Sequence, residues 1–391
     1  MSKIVVLGGA GAMGQVIVRD LVKTSKCDEI VIAEFNLQAA EALRKEINSP
    51  KLHAQFADLT KTAELSKLLQ GATVLINSTP YVFNVSVMEA ALAAGCHYLD
   101  LGGLFHVTKK QLELHERYVK ANLLAVLGMG AAPGMTNIMA AEGAQELDKI
   151  DDIDIVVGCI DFVELDHPLV LPYAIDTILD EYTKEPMVFE NGDYKPKPPM
   201  SGEIELDFPE PVGKCKAILT LHSEVLTIPK SFADKGLRGT TFRLGLPSAM
   251  HDKLKFLVEL GFGGSKEVQT DKSSFVPRKV LAKMLSQFPI PQCVPDDCEA
   301  VRVDVIGSKG GAKKTIRVES IIRADTEWKV SCGAYDTGVP PSIVAQMIAD
   351  GTITDRGVLA PEVCVPRKEF FDALAKRRIT IEKRVLELAK C

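Results

Sequence analysis

The sequence predicts an α/β protein, a doubly wound parallel sheet joined to a second α+β domain with a mixed sheet. Three observations lead there. From residue 1 to 131, short apolar runs alternate with stretches of helical periodicity. The first run, Ile4–Leu7, passes directly into Gly9, Gly11 and Gly14, spaced G-x-G-x-x-G, and helical spacing follows at Met13, Val16, Ile17, Leu21 and Val22. Beyond Ala131 the pattern gives way to acidic and proline-rich segments with alternating strands, DIDIVVGCI, KCKAILTLHS and VRVDVIGS, which suit an antiparallel or mixed sheet.

The glycine turn and the helix opening at Ala12 read as a Rossmann-type dinucleotide site. Gly9 allows the sharp turn, Gly11 lets a pyrophosphate meet bare backbone, and Gly14 lets the helix pack closely on the strand. The amides around Ala12 and Met13, with the helix dipole, favour phosphate. The second strand, EIVIAE, ends at Glu34, where a carboxylate can accept both ribose hydroxyls of an adenosine. Phe35 and Asn36 offer no cation for a 2′-phosphate, so NAD is expected over NADP.

The chain then reads as helix Leu37–Ile47, strand His53–Ala57, and helix Thr62–Leu69 with Asp58 and Thr60 as capping candidates. Strand Thr73–Ser78 leads into the loop STPYVFN, then helix Val85–Ala94 closes at Gly95. Strand His97–Leu101, a long polar helix Thr108–Asn122 and strand Leu123–Gly128 complete the alternation. APGMTN, Ala132–Asn137, opens a helix reaching Leu147. Prolines crowded between Pro186 and Pro211 exclude long helices there. Near the end, a helix from Ser342 to Asp350, introduced by GVPP, and an amphipathic helix Glu382–Lys390 are expected to pack on the first domain. The division is therefore a dinucleotide-binding domain of residues 1–131 completed by 336–391, and a substrate-binding and dimerisation domain of residues 132–335.

A net charge of −6 argues against nucleic acid and anionic membrane, both of which call for a basic surface, and leaves a small molecule as the partner. Nine cysteines without a C-x-x-C pair, and a first strand with no charged-then-apolar leader before it, predict a reducing cytoplasm. No segment approaches the ~20 continuous apolar residues of a spanning helix. Metal binding is not expected. His97, His106 and His115 recur at a spacing without zinc precedent, and Cys293 and Cys298 flank VPDD without a second pair. No nucleophile motif is present either, which leaves hydride transfer with a protein acid/base group.

Ligands in such sheets lie beyond the carboxyl ends of the strands, so the loops after strands supply the candidates. Tyr81, Asn84, Asp100, His97 and His106 are the acid/base candidates, although a residue in such a loop is more often there for packing or capping. Asp100 leads them as a strand-end carboxylate before Gly102 and Gly103. In GLRGTTFRLG, Arg238 and Arg243 flank a turn with Thr240, an arrangement that can hold the carboxylate of an amino-acid substrate or form a cationic surface strand.

Several segments together resemble the saccharopine dehydrogenase family over nearly the whole chain: VVLGGAGAMG at Val5–Gly14, ADLT at Ala57–Thr60, NSTPYVFN at Asn77–Asn84, HYLDLGG at His97–Gly103, APGMTN at Ala132–Asn137, LRGTTFR at Leu237–Arg243 and YDTGVPPSIVAQMI at Tyr335–Ile348. The resemblance implies a nucleotide domain built from both chain ends, a mixed-sheet insert, and oxidation of a carbon–nitrogen bond in a lysine-derived amino acid, saccharopine or L-lysine; the second domain is expected to carry the contact of a homodimer. It implies Asp58 near the adenine and the loop Ser78, Thr79 and Pro80 near the nicotinamide ribose. A carboxynorspermidine-type polyamine dehydrogenase and a catalytically silent NAD-binding protein are the alternatives.

Overall fold

The computed structural model describes residues 2–163, 169, 175–288 and 294–386. Seven short strands form one wholly parallel sheet, in the order Gly357–Leu359, Leu124–Val126, His97–Asp100, Val74–Asn77, Lys3–Leu7, Glu29–Glu34, Leu52–Phe56. The central strands are covered on both faces, which is why Ile4, Val5, Val6 and Leu7 are all buried and the run is continuously apolar rather than alternating. Strand order reverses at Lys3–Leu7, which pairs with Glu29–Glu34 on one side and Val74–Asn77 on the other. A crevice therefore opens at its carboxyl end, over the glycine turn.

The second domain is a nine-stranded mixed sheet. Lys149–Asp161 is its long inner strand, parallel to Gly239–Leu246 on one side and antiparallel to Asp297–Lys309 on the other. Helix Met135–Ala144 packs against this sheet and is buried almost all round, as its apolar and small residues allow. One apolar cluster runs from Ile4 and Val6 through Ile138 and Met139 to Val301 and Val303, so the two sheets share a core.

Three elements depart from the sequence reading. The helix expected over Thr108–Asn122 is two, Leu104–Leu112 and His115–Lys120. The first is tied to the sheet through Gln111, and the second turns to strand Gly357–Leu359, where Val358 N–H donates to His115 Nδ1 at 3.2 Å. The helix expected from Ser342 begins at Cys332 and runs to Ala349 straight through Pro340 and Pro341. Each proline removes an intrahelical hydrogen bond and costs about 3 kcal/mol in an isolated helix, and burial between the domains outweighs it. Gly338 sits where this helix crosses Ala12–Thr24, and a Cβ there would lie 2.6 Å from Val16 Cβ.

The predicted terminal helix Glu382–Lys390 is instead a strand, Glu382–Leu386, which adds to the free edge of Ala312–Arg323 in the second sheet; residues 387–391 lie outside the described residues. The returning segment thus serves both domains. Helix Cys332–Ala349 and strand Gly357–Leu359 complete the first, while Glu382–Leu386 joins the second.

Candidate active site

The crevice fits a dinucleotide. A Cβ at Gly14 would lie 2.1 Å from Gly8 O and 2.7 Å from Gly9 Cα, so only glycine lets the helix come down on the turn. No side chain caps helix Ala12–Thr24, which leaves the amides at Ala12 and Met13 facing the crevice over Gly9 and Gly11. Glu34 ends the adjacent strand with its carboxylate at the mouth of the turn, accepting from Ala10 N at 3.3 Å and Phe35 N at 2.9 Å. Asp58 follows the next strand, and hydrogen bonds from the Thr60 hydroxyl and amide hold its pKa below the ordinary carboxylate value. On the other side, Ser78 Oγ donates to Gly8 O at 3.4 Å, and Thr79 donates its hydroxyl to Asn77 Oδ1 at 2.6 Å just before Pro80. The predicted nucleotide residues thus gather at neighbouring strand ends.

Between the domains this crevice continues into two adjoining cavities of about 270 and 310 Å³, which share Met13, Ala132, Glu181, His222 and Thr337. His222 follows strand Lys214–Leu219 and precedes helix Glu224–Ser231. Its ring stacks on Phe242 with centroids 3.6 Å apart and planes 6° apart, and its Nδ1 lies 3.0 Å from Glu224 Oε2. The fully buried Glu224 also accepts from the Thr136 hydroxyl at 2.9 Å. Burial pulls the His222 pKa down, but the Glu224 carboxylate more than reverses this, so it ends above the ordinary histidine value.

The first cavity ends at Tyr81 and Lys184. Lys184 Nζ donates to Tyr81 Oη at 2.7 Å and pairs with Asp180 at 2.9 Å, and Asp180 is held in turn by Arg278 at 2.8 Å. Burial works to lower the Lys184 pKa; these partners overcome it and raise it. The second cavity reaches Glu299, which hydrogen-bonds the fully buried Asp336. Burial pushes the Glu299 carboxyl up to about 7 and, with the neighbouring Glu299, lifts Asp336 well above the ordinary range.

Of the acid/base candidates, only Tyr81 lines this cleft. Asp100 is 1% exposed and accepts five hydrogen bonds: from Tyr98 Oη, Gln111 Nε2 and Asn84 Nδ2 at Oδ2, and from Gly102 N and Gly128 N at Oδ1. It fastens the loops after three strands and presents no free oxygen to a substrate. Burial nevertheless leaves its pKa raised against the pull of those donors. Asn84 is equally occupied, donating to Asp100 and Gly102 O and accepting from Asn77 Nδ2. His106 is exposed, its ring edge on Phe105. His97 begins its strand and accepts from Leu124 N, so it sits at the far end of the sheet from the crevice.

The arginines are also displaced. Arg238, Thr240 and Arg243 line a separate cavity of about 710 Å³ with Asp151, Asp152 and Asp154. Arg243 donates to the Thr241 hydroxyl at 2.8 Å and lies 3.9 Å from Asp154. Alternation along Gly239–Leu246 turns Thr241 and Arg243 away from Phe242 and Leu244, which face the cleft.

His222, Glu224, Lys184 and Glu299 had no place among the sequence candidates. His-Ser-Glu at a strand-to-helix junction was the one local signal, since it sets a carboxylate behind an imidazole; Lys184 and Glu299 carry none. Among the described residues, no three His, Cys, Asp or Glu side chains are placed to hold a metal, and no helix is long and apolar enough to cross a membrane.

Comparison with known proteins assigns the family. Residues 4–126 match the saccharopine dehydrogenase NADP binding domain, and residues 130–379 match the saccharopine dehydrogenase C-terminal domain. The chain belongs to the saccharopine dehydrogenase family. This member is 25% identical to carboxyaminopropylagmatine dehydrogenase of Synechocystis sp., over 94% of each chain. It is 24% identical to carboxynorspermidine synthase of Vibrio cholerae, over 92% of this chain and 91% of that one. The apo saccharopine dehydrogenase (L-Glu forming) of Saccharomyces cerevisiae has the same fold, with a TM-score of 0.79 at 17% identity, over 99% of this chain and all of that one. The family supplies the chemistry class of an oxidoreductase that uses a pyridine nucleotide.

Proposed function

We propose that this family member is an NAD-linked dehydrogenase of a carboxylate-bearing secondary amine, working on the carbon–nitrogen bond. The observation that carries it is the order of groups along the cleft: Lys184 with Tyr81 at one end, His222 backed by Glu224 in the middle with Glu181, and Glu299 beyond. The Lys184 ammonium offers a counter-charge for a substrate carboxylate, and Tyr81 shares its hydrogen bond. A bound nicotinamide accepts or supplies the hydride. As the amine becomes an imine the nitrogen sheds one proton, and His222 is the group positioned to take it, with Glu224 stabilising the imidazolium. In the reverse direction the same ring returns the proton. Glu34 favours NAD, since a 2′-phosphate would meet its carboxylate.

Within that class, the two relatives named for carboxyaminopropylagmatine and carboxynorspermidine favour a carboxylated polyamine over saccharopine, and both over the primary amine of L-lysine. The test is nucleotide reduction at alkaline pH with carboxynorspermidine, saccharopine and L-lysine. Turnover of carboxynorspermidine with kcat/KM at least about tenfold above the others, a difference of ~1.4 kcal/mol, is expected. Tight NAD binding by calorimetry with no turnover of any amine would overturn it in favour of a silent nucleotide-binding protein.

A further inference from the structure

The far end of the second cavity holds a group that the reaction above does not use. Glu299, on strand Asp297–Lys309, lines the cavity, and Asp336, in helix Cys332–Ala349, lies behind it with 0% exposure. No donor among the described residues reaches Asp336 Oδ2; only the Thr337 hydroxyl approaches Oδ1, at 3.4 Å. Two carboxyl groups that hydrogen-bond each other with no donor between them must share a proton. Two like charges in contact, one fully buried and the other half-buried, resist ionising together unless a cation joins them.

We propose that the Glu299–Asp336 pair is the seat of an alkylammonium group, the far amine of the substrate, and that this cation enters by displacing the shared proton. The proposal rests on the reading that the cleft takes an amine, and it narrows the substrate to a polyamine arm. An ammonium brings three donors and one positive charge. Docked on Glu299 at the cavity wall, with Asp336 in contact behind it, the ammonium supplies the positive charge that lets both carboxyls ionise, while the displaced proton passes to solvent. A substrate that sets a carboxylate beside the ammonium at that end, as the amino-acid end of saccharopine does, would bring no net charge to the pair and be disfavoured.

The surroundings support a proton kept at neutral pH. Asp297 adds a further carboxylate from the Glu299 strand, and Cys159 and Cys332 flank the pair as thiols whose own pKa values burial raises. Thr337 contributes a hydroxyl, and Glu181 and His222 face the same cavity. Burial, with Asp297 adding to it, raises the Glu299 carboxyl to about 7, and burial with the neighbouring Glu299 and Asp297 lifts Asp336 well above the ordinary carboxylate range.

The test uses the full chain loaded with NAD and titrated calorimetrically with norspermidine, a triamine without a carboxylate, at pH 7.5 in two buffers of different ionisation enthalpy. Wild type should release close to one proton per triamine bound. In Glu299→Gln, where the amide donates to Asp336 and preserves the pair's shape, release should fall to near zero and affinity at least tenfold; Asp336→Asn should behave alike. Melting temperatures within a few degrees of wild type confirm that both variants fold. Norspermidine binding without proton release, or release unchanged in both variants, overturns the seat. Binding is read without turnover, so the two readings fail separately. Proton-linked binding without dehydrogenation of any amine leaves the seat and removes the reaction; saccharopine turnover without norspermidine binding does the reverse.

Discussion

Asp100 separates a positioning role from a reacting one, because its two substitutions strain different groups. Asp100→Ala strips the acceptor from Gly102 N and Gly128 N, backbone amides with no second partner among the described residues, and from three side chains. At about 1–3 kcal/mol for each orphaned buried donor, the two amides alone cost about 2–6 kcal/mol. In a chain of this length that is a fall in melting temperature of about 2–7 °C. Asp100→Asn keeps Oδ1 for both amides and turns Nδ2 toward Tyr98, Asn84 and Gln111. Gln111 Oε1 is buried without a partner, so a flip of that amide receives Nδ2–H, and the Tyr98 hydroxyl can rotate to accept.

The Asn variant should therefore melt near wild type and keep kcat within about fivefold, whereas loss of a reacting acid or base costs roughly 10²–10⁴-fold. The pH trend has a sign as well. Because the folded pKa of Asp100 is raised above its unfolded value, its contribution is full below about 4 and is lost as pH rises through the folded pKa. The stability difference should thus shift toward the Asn variant as pH rises above about 4. Melting curves across that range and steady-state rates on the same preparations make the assay. An Asn variant that melts like wild type but loses activity a hundredfold would falsify the positioning role.

Three further outcomes follow from the geometry. Glu224→Gln removes the charge that raises the His222 pKa, so the ascending limb of the kcat/KM–pH profile should move to lower pH. The stability His222 contributes in wild type is full below about 6.5 and lost as pH rises through its folded pKa; in this variant burial is left to depress that pKa, so the dependence should reverse and stability be lost as pH falls, and an unmoved limb excludes His222 as the acid/base group. Wild type should bind NAD at least about tenfold more tightly than NADP, ~1.4 kcal/mol, and Glu34→Ser with Phe35→Arg should shift the preference toward NADP; equal dissociation constants in wild type would show that Glu34 does not meet the ribose. Arg243→Ala should leave the substrate KM within about twofold because Arg243 lines a different cavity, and a tenfold rise in KM would restore it as a substrate ligand.

The reading from sequence succeeded where the physics is local. The turn from Gly9 to Gly14 is set by which residues tolerate bare backbone and close approach, and the parallel sheet by continuous apolar runs between helical stretches. Both are written within a few residues of where they act, so the nucleotide crevice and the family were legible. Cleft chemistry was not, because a strand-end carboxylate such as Asp100 looks the same in sequence whether it faces a substrate or five donors.

By itself, then, the sequence determined the α/β class, the glycine cradle, the acidic residue beside it and the membership of an oxidoreductase family. Tertiary structure decided the rest. Glu382–Leu386 became a strand because an open sheet edge was there to pair with, and Cys332–Ala349 kept its helix through two prolines because both domains cover it. His222 with Glu224 is joined by Thr136 from another segment, Lys184 with Tyr81 spans the two domains, and Glu299 meets Asp336 across a strand and a helix. Each pairing depends on distances between segments far apart in the chain, and those distances exist only once the two sheets close on their common core.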